Sequence, residues 1–426
     1  MNNTYNICCV DDHVELSSPP KDYKSHIDNL ISEIWKLKQA PVMDEVLLKT
    51  YGSQLAKAAI KAYGIDLKDV DWKSDSGKTA LNILNNTWQF SGAKTYTQLK
   101  DIGAALLNPD GSFKSEKDFI IAAQNISKTQ LNWLKTERNT AIGGAQMIAL
   151  WDKITAQKDI FPFLQFDAVI DSATTALCDS LHKVVRRVDD WFWEYYYPLN
   201  HFGCRSTVRQ LRNGKETPEA EIKLPEIPVM FKTNLGKTGI VFPVDHPYFT
   251  GTPAEIMNES KKVMPYEMQF DILDESDKLG GIIRSHFQLQ KQNDYQRLLK
   301  IAIDKASKKG TIVDLMPIVN PAVDNVNQRN IIFADAKAGK SPDLRINGVL
   351  VEEEASTNSR NINNIKHAIG AGAKQADHVI ISLSEEISIE TMKRISIGRF
   401  KDHKNLMVIE FYHNKIYTVF KRPIKS

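Results

Sequence analysis

The spacing of apolar residues changes along the chain, and this change constrains the fold more than any other sequence feature. Over about the first 160 residues, apolar side chains recur at three- and four-residue steps, as in residues 26–38, which is typical of amphipathic helices. From Phe161 to Leu211, aromatic and β-branched residues indicate short strands and loops. From about Asp294, helix-like and strand-like segments alternate. A chain of 426 residues with such different patterns exceeds one ordinary core, so we expect several domains.

These patterns predict a multidomain α+β protein. Residues 1–20 are polar and end in Ser-Ser-Pro-Pro, which predicts a flexible tail. We expect residues 21–212 to form a mainly helical domain with a small β region. Residues 213–290 are rich in Pro, Gly and turn residues and are expected to form a connector packed on that domain, because VMFKTNLGKTGIVF still has strand-like apolar runs. Residues 291–426 are predicted to form an α/β sandwich.

The predicted order in the last domain is helix, three strands, helix, strand, helix and two strands. Two hairpins are expected. One turns at Asn347-Gly348, because Asn-Gly between apolar runs is a strong hairpin signal, and the other joins the runs LMVIEFY and KIYTVFKR around His413-Asn414. The aromatic run WFWEYYYP at residues 191–198 is expected to be a packed strand and turn rather than a ligand site.

Composition favours a globular protein without a membrane partner. The chain is 42% hydrophobic and 25% charged, and no apolar run approaches the roughly 18–20 residues that a membrane helix needs. The start, MNNTYNICCVDDH, shows no secretory signal pattern, so the cytoplasm is the expected compartment. From residue 331 onward the chain has 15 Lys and Arg against 11 Asp and Glu, which permits a nucleic-acid partner without requiring one. Cys8 and Cys9 are adjacent in the predicted tail and do not indicate a disulfide framework.

Three pieces of residues 130–250 resemble the phage Mu head-morphogenesis (minor capsid) family. They are LKTERNTAIGGAQ, the pair DSATTALCDSLHKVV and PLNHFGCRSTVRQL, and FKTNLGKTGIVFPVDHPYF. The specific part is the Phe-Gly-Cys-Arg piece, where the residues matching the family pattern are Pro198, Asn200, Phe202, Gly203, Cys204, Arg205 and Val208. The resemblance implies a minor head protein in capsid assembly or DNA packaging. Its expected partners are the portal and other capsid proteins, and its expected location is the virion or the host bacterial cytoplasm.

Family members with Cys-x-x-Cys and His-x-x-Cys in these places have enough ligands for tetrahedral zinc. In this chain Thr175 stands at the first cysteine, which leaves Cys178, His201 and Cys204, with His182 as a candidate fourth ligand. The alternative is that both cysteines are small buried apolar groups and that the histidine is an ordinary loop residue.

The arginine of the Phe-Gly-Cys-Arg piece has a simpler expected role. Arg205 is predicted to tie its loop to a carboxylate such as Asp171 or to backbone carbonyls, because the guanidinium fork suits such contacts.

Residues 294–383 resemble the tRNA- or DNA-cleaving toxin domains of the contact-dependent growth-inhibition type, within the broad PD-(D/E)xK nuclease class. The resemblance rests on a helix ending in KKG, a strand ending in LMPIV, the segment KSPDLRINGVLVEEEAS and a helix leading into AKQADHVIISL. It implies a metal-dependent endonuclease acting on tRNA or DNA, with Mg²⁺ or another divalent cation held by carboxylates. An immunity protein is a further implied partner.

The predicted metal ligands lie on the Asn347-Gly348 hairpin. Asp343 lies four residues before the turn and Glu352 four residues after it, so we expect them to face each other. Alternation along a strand puts Glu352 and Glu354 on one face and Glu353 on the other.

The nuclease class normally has a lysine where Glu354 stands, and this departure leaves three interpretations. Glu354 is a third carboxylate ligand, with a lysine supplied by the following helix; the helix candidates are Lys366 and Lys374, with Gln375 as a further catalytic candidate. Alternatively the domain is inactive and only binds nucleic acid or protein, in a purely structural head protein. In the third interpretation the acidic run is a charged edge strand. A host regulator without a virion role is a separate alternative for the whole chain.

Overall fold

A computed structural model describes residues 23–67, 70–72, 74–273 and 280–423. The predicted flexible tail at residues 1–20, with Cys8 and Cys9, lies outside these residues. The chain divides into two compact units, Met1–Met264 and Pro265–Ser426, which are called here the N-terminal and C-terminal units. The first is mainly helical with a small sheet and the second is built on a larger mixed sheet, so the predicted multidomain α+β class is confirmed.

Long helices form the first part of the N-terminal unit, as the apolar periodicity predicted. They are α1 (Tyr23–Leu37), α2 (Glu45–Tyr63), α3 (Asp75–Ala104) and α4 (Glu116–Gln157). Polar side chains cap their first turns: Ser74 accepts a hydrogen bond from the Gly77 N–H, and Ser115 accepts one from the Asp118 N–H. None of the described helices combines the length and apolar character needed to cross a membrane.

A buried ion pair joins α3 to α4. Lys94 is completely buried, and its Nζ donates to Glu137 Oε1 at 2.8 Å and to the Gln130 side chain and carbonyl at 3.0 Å. The Tyr248 hydroxyl donates to the same Gln130 side chain at 3.1 Å. Glu137 is the glutamate of the LKTERN piece, so that part of the family-like pattern has a structural role in the helical core.

A small sheet follows the helices. Its elements, with the short helices between them, are β1 (Phe163–Asp167), α5 (Ala176–Leu181), β2 (Val185–Arg187), α6 (Phe192–Tyr196) and β3 (Thr207–Leu211). Among the described residues this is a three-stranded antiparallel sheet in the order β2-β1-β3. The predicted strand at WFWEYYYP is wrong, because this run forms α6. Phe192, Trp193 and Tyr197 are fully buried there, so tertiary packing overrides the strand preference of aromatic residues.

The predicted connector packs on the helices over its first part. Its helices are α7 (Leu235–Thr238), α8 (Pro247–Thr250) and α9 (Ala254–Lys261). Asn86 of α3 accepts hydrogen bonds from the Val241 and Phe242 N–H groups and donates to the Phe242 carbonyl, and Phe242 stacks on Phe90. The strand-like runs of this segment form 3-10 turns and α7 instead of strands.

The C-terminal unit begins before the predicted boundary. Its elements are β4 (Phe270–Ile272), β5 (Ile282–His286), α10 (Tyr295–Ala306), β6 (Ile312–Leu315), α11 (Val326–Ile332), β7 (Leu344–Ile346), β8 (Val349–Ser356), α12 (Ile362–Gln375), β9 (His378–Leu383), α13 (Ile389–Asp402), β10 (Val408–His413) and β11 (Ile416–Lys421). Because β5 pairs with β6, residues assigned to the connector belong to this sheet, and the division falls at 264/265 rather than 290/291. The sequence prediction also missed α11.

The sheet of the C-terminal unit is mixed. Over the described residues its strand order is β11-β10-β9-β8-β7-β6-β5-β4. Strands β6, β7 and β8 form an antiparallel meander, and β9 lies parallel to β8. Helix α10 packs on one face, while α12 and α13 pack on the other, so helices cover both faces.

Both predicted hairpins in this unit are confirmed. At the β7-β8 turn, Asn347 has φ 47° and Gly348 has φ 83°; at the β10-β11 turn, Asn414 has φ 46° and Lys415 has φ 68°. Two successive positive φ angles are the signature of the type I′ turn, which matches the twist of the strands that it joins.

Candidate functional site

The β7-β8 hairpin brings two carboxyl groups together in the C-terminal unit. Leu344 pairs with Val351, so the preceding Asp343 lies opposite Glu352. Asp343 Oδ2 accepts a hydrogen bond from the Glu353 backbone N–H at 3.0 Å, and the Glu352 carboxyl accepts one from the Asp343 backbone N–H. The two side chains therefore share one end of the hairpin.

The acidic side chains that follow on β8 alternate between the faces of the sheet. Glu353 points to the α10 face, where its Oε2 accepts from Arg297 Nε at 2.6 Å. Glu354 points to the α12 face, where its Cγ would lie 3.3 Å from a Cβ built on Gly372. Because side chains alternate along a strand, Glu352 lies on the same face as Glu354. Of these three glutamates, Glu353 is the one that forms an ion pair with an arginine in the contacts of the described residues.

Burial and mutual repulsion disfavour the charged forms of the acidic pair. The pKa of Glu352 is raised from 4.5 to about 9, first by burial and then by the charges of Asp343 and Glu354. The pKa of Asp343 is raised to about 7, first by burial and then by neighbouring carboxylates. Within the described part of the chain, Glu352 Oε2 is buried without a hydrogen-bond partner. Such a pair requires either a proton or a cation for stability.

The helix residues predicted to assist the carboxylates lie on α12. Lys366 is half-buried and Lys374 is exposed, and neither has an ion pair with the acidic pair among the contacts of the described residues. Gln375 follows Gly372 by three residues, so it lies on the same side of the helix. Its Oε1 is buried and has no partner in the region that the structure covers. The catalytic roles of these three residues stay predictions.

A second group of ligand-type side chains lies in the N-terminal unit. Cys178 Sγ lies 3.8 Å from Cys204 Sγ and 3.1 Å from His201 Nε2. Among the described residues, these three side chains form a set of His, Cys, Asp or Glu groups whose ligand atoms all lie within 4.8 Å of one another. Asp343, Glu352 and Glu354 do not form a set of that compactness.

The local fold brings the two cysteines and the histidine together. Cys178 lies on α5, and Thr175 caps this helix by accepting a hydrogen bond from the Cys178 N–H. His201 and Cys204 lie at the ends of a tight turn in which Gly203 has φ 69°, a conformation that glycine adopts without strain.

Hydrogen bonding within the cluster separates the two thiols electrostatically. Contacts from Cys204 and then His201 lower the pKa of Cys178 to about 4, against the effect of burial. The contact with Cys178 and its own burial raise the pKa of Cys204. The cluster therefore holds one thiolate readily and the second only with further positive charge nearby.

Two neighbouring predictions have clear outcomes. Arg205 forms the predicted bidentate pair with Asp171, at 2.7 and 2.6 Å, and this pair holds the Asp171 pKa below its usual range. His182 is not part of the cysteine cluster, because its Nδ1 accepts from the Ala168 N–H at 3.1 Å on the side of Asp167.

Comparison with known proteins concerns the N-terminal unit. Residues 94–209 match the family described as "Phage Mu protein F like protein". The chain carries a Mu F-like segment. Over 53 residues it is 42% identical to the "Putative capsid assembly protein F" of Escherichia phage Mu. These 53 residues are 12% of each chain. Over 78 residues it is 35% identical to the "Mu-like prophage FluMu F protein" of Haemophilus influenzae. These 78 residues are 18% of each chain.

These matches have limited extent. The chain spans less than a fifth of the length of the curated relatives named above. The matched family segment runs from the second half of α3 through α4 and the small sheet, and it includes Lys94, Glu137 and the cysteine cluster. No solved structure matches the chain.

Proposed function

We propose that this chain is a minor head protein of a Mu-like phage or prophage whose C-terminal unit is a metal-dependent nuclease. The Mu F-like segment carries the first half of the proposal, because a relative of this segment is named "Putative capsid assembly protein F". In this proposal the N-terminal unit acts in capsid assembly or DNA packaging. It contacts the portal and other capsid proteins, in the virion or in the host bacterial cytoplasm.

The nuclease half of the proposal depends on Asp343 and Glu352. They lie opposite each other on adjacent strands, and one buried Glu352 oxygen has no partner among the described residues, so the donor chemistry fits a hard divalent cation such as Mg²⁺. When bound, such an ion would stabilise the developing charge on a phosphodiester and lower the pKa of an attacking water. The order α10, β6, β7, β8, α12 and β9, with helices on both faces, agrees with the segments on which the toxin resemblance rests.

The other predicted residues have supporting roles in this proposal. Gln375 has a buried, unpartnered Oε1 on the α12 side, which suits hydrogen bonding to a water or substrate group. Glu354 is a candidate third carboxylate, and Lys366 or Lys374 would contact the phosphate after a movement of its long side chain. The substrate is tRNA or DNA, and an active enzyme of this kind would need an immunity protein in the cell that makes it.

The test of the nuclease is cleavage by the full chain. Purified protein is incubated with tRNA and with plasmid DNA, in the presence of Mg²⁺, Mn²⁺ or a chelator. We expect metal-dependent cleavage that falls at least about 100-fold in Asp343→Ala and in Glu352→Gln, because each removes a ligand for the cation. Glu386→Gln, at an exposed glutamate of the same unit, is the matched control and should keep full activity.

A purely structural C-terminal unit is the second candidate. It is favoured by Glu354 at the position where the nuclease class has lysine, and by the lack of a lysine contact to the acidic pair within the described residues. Absence of cleavage of both substrates with every metal would contradict the nuclease and support this candidate. Binding of tRNA or DNA without cleavage would identify an inactive nucleic-acid-binding unit.

The head role has a separate test. Particles purified after prophage induction are examined by mass spectrometry, with host cytoplasmic proteins as the contamination control. We expect peptides of this chain at low copy number relative to the major capsid protein. Absence from both complete heads and assembly intermediates would contradict the head role, and a gene far from portal and terminase genes would favour a host regulator.

A further inference from the structure

We infer that Cys178, His201 and Cys204 bind one zinc ion in the N-terminal unit. The proposal depends neither on the head role nor on the nuclease. Two thiolates and one imidazole are soft and borderline donors, which zinc prefers over the carboxylate ligands that suit Mg²⁺.

The spacing of the donors fits zinc geometry. Bonds of about 2.3 Å from a tetrahedral ion place two thiolate sulfurs about 3.8 Å apart. The sulfurs of Cys178 and Cys204 are 3.8 Å apart. A disulfide would bring them to about 2.05 Å, and both cysteines are free. His201 Nε2 lies 3.1 Å from the Cys178 sulfur, so a small movement of the ring completes a three-donor arrangement.

The histidine is prepared to act as a ligand. Its Nδ1 lies 2.8 Å from the carbonyl oxygen of Phe202, which only accepts hydrogen bonds, so the neutral ring carries its hydrogen on Nδ1. The lone pair of Nε2 then points toward the cluster. A metal-bound histidine usually donates its other ring N–H to such an oxygen, and this contact fixes both tautomer and ring orientation.

The two sulfurs are shielded from solvent, and backbone donors face one of them. Cys178 and Cys204 are both buried, and the backbone N–H groups of Asn200 and Ser206 form hydrogen bonds with Cys204. Zinc binding releases the thiol protons, and the ion supplies the positive charge that two adjacent thiolates require.

The Thr175 hydroxyl lies beside the three donors. It is 3.2 Å from His201 Nε2 and belongs to the cap of α5. Three protein ligands would leave one zinc position for a water, and a hydroxyl so close to the histidine could form a hydrogen bond with it. The ion would join α5 to the 201–204 turn, two segments that the Arg205–Asp171 pair already connects, and it would therefore stabilise the end of the small sheet.

The test uses the full chain, purified under reducing conditions with equimolar Zn²⁺ and then passed through a desalting column. Elemental analysis should find about one zinc per chain. After chelation, titration with Co²⁺ should give thiolate-to-cobalt charge-transfer absorption and the intense visible bands of four-coordinate cobalt. Cys204→Ser and His201→Ala should each lose stoichiometric binding. The control Cys8→Ser/Cys9→Ser removes the other cysteines of the chain and should keep it.

A gain-of-ligand variant keeps the test decisive if the ligand variants fold poorly. Thr175→Cys supplies a fourth donor, so it should bind zinc at least about 10-fold more tightly in competition with a chelator and should strengthen the cobalt charge-transfer bands. The proposal would be overturned by a zinc content well below one per wild-type chain or by the absence of cobalt–thiolate absorption. It would also be overturned if Cys8→Ser/Cys9→Ser lost the zinc. A Cys178–Cys204 disulfide found by mass spectrometry in freshly reduced protein would also overturn it.

Discussion

At the scale of single residues, buried ionisable groups affect the stability of both units. Lys94 and Glu137 neutralise each other inside the helices of the N-terminal unit. Glu353 is paired with Arg297, but Glu352 and Asp343 repel each other at the end of the hairpin in the C-terminal unit. In the first arrangement opposite charges pair, although Glu137 Oε2 is buried without a hydrogen-bond partner among the described residues. In the second, like charges meet, and a proton or an external cation is needed to stabilise them.

Lys94→Met should destabilise the N-terminal unit by about 3–5 kcal/mol, because it leaves the buried Glu137 carboxylate without its counter-charge. Lys94→Met/Glu137→Gln should recover part of this loss, since no charge remains buried. Lys49→Met, which breaks an exposed pair with Glu45, is the control and should change stability by less than about 1 kcal/mol. Denaturant unfolding measures all three, and equal effects of the two single variants would contradict a structural role for the buried pair.

The raised pKa of Glu352 predicts a pH dependence of stability. In the unfolded chain its pKa is near the usual 4.5, whereas in the folded chain it is about 9. Protonation of Glu352 therefore contributes its full stabilisation of the folded state below about pH 4.5. This contribution is lost progressively as the pH rises toward 9. In a chelator, we expect the unfolding free energy of the C-terminal unit to fall across this window.

Two changes should remove that pH dependence. Glu352→Gln has no proton to lose at this position, and saturating Mg²⁺ replaces the proton with a cation, so each should flatten the profile above about pH 7, where Asp343 has already lost its proton. Glu386→Gln, at an exposed residue, should leave the profile of the wild type unchanged. A wild-type profile that stays flat from pH 5 to 9 in chelator would show that the acidic pair is not strained.

At the scale of elements, short turns determine which side chains meet. The Asn347-Gly348 turn fixes the β7-β8 register, and that register places Asp343 opposite Glu352. The His201–Cys204 turn and the cap of α5 do the same for the cysteine cluster. In both cases a positive φ angle at glycine closes the turn.

Gly348→Ala should therefore destabilise the C-terminal unit by about 1 kcal/mol, because an alanine at φ 83° is strained. Gly398→Ala is the matched control, since this glycine lies within α13 and an added Cβ meets open space. That substitution should stabilise the unit by about 0.5–1 kcal/mol. Thermal and denaturant unfolding distinguish the two signs, and a stabilising Gly348→Ala would exclude the type I′ geometry.

At the scale of the whole molecule, the chain has two units with separate cores, and the boundary between them decides which fragments fold. A fragment of residues 265–426 retains β4 and β5, so we expect cooperative unfolding and dispersed NMR amide signals. A fragment of residues 291–426 lacks both strands. It loses the buried residues Phe270 and Ile283 and exposes the edge of β6, so it should aggregate or unfold at a lower temperature. Equal stability of the two fragments would contradict the 264/265 boundary.

Local periodicity and turn chemistry were enough to predict part of this fold from the residues alone. The first helices follow from three- and four-residue apolar spacing, and both hairpins of the C-terminal unit follow from Asn at turns that require positive φ. Even the Arg205–Asp171 pair was predicted, because it joins two short polar segments within one small sheet region.

Packing between distant segments set the remaining features. It decided that the aromatic run is helical, that β4 and β5 join the later sheet, and that α11 exists. It also decided that Arg297 pairs with Glu353 while Glu352 keeps an unpartnered buried oxygen among the described residues. The physical reason is that burial, electrostatic pairing and sulfur spacing arise only when segments far apart in sequence meet. Local residue preferences contain no information about those meetings.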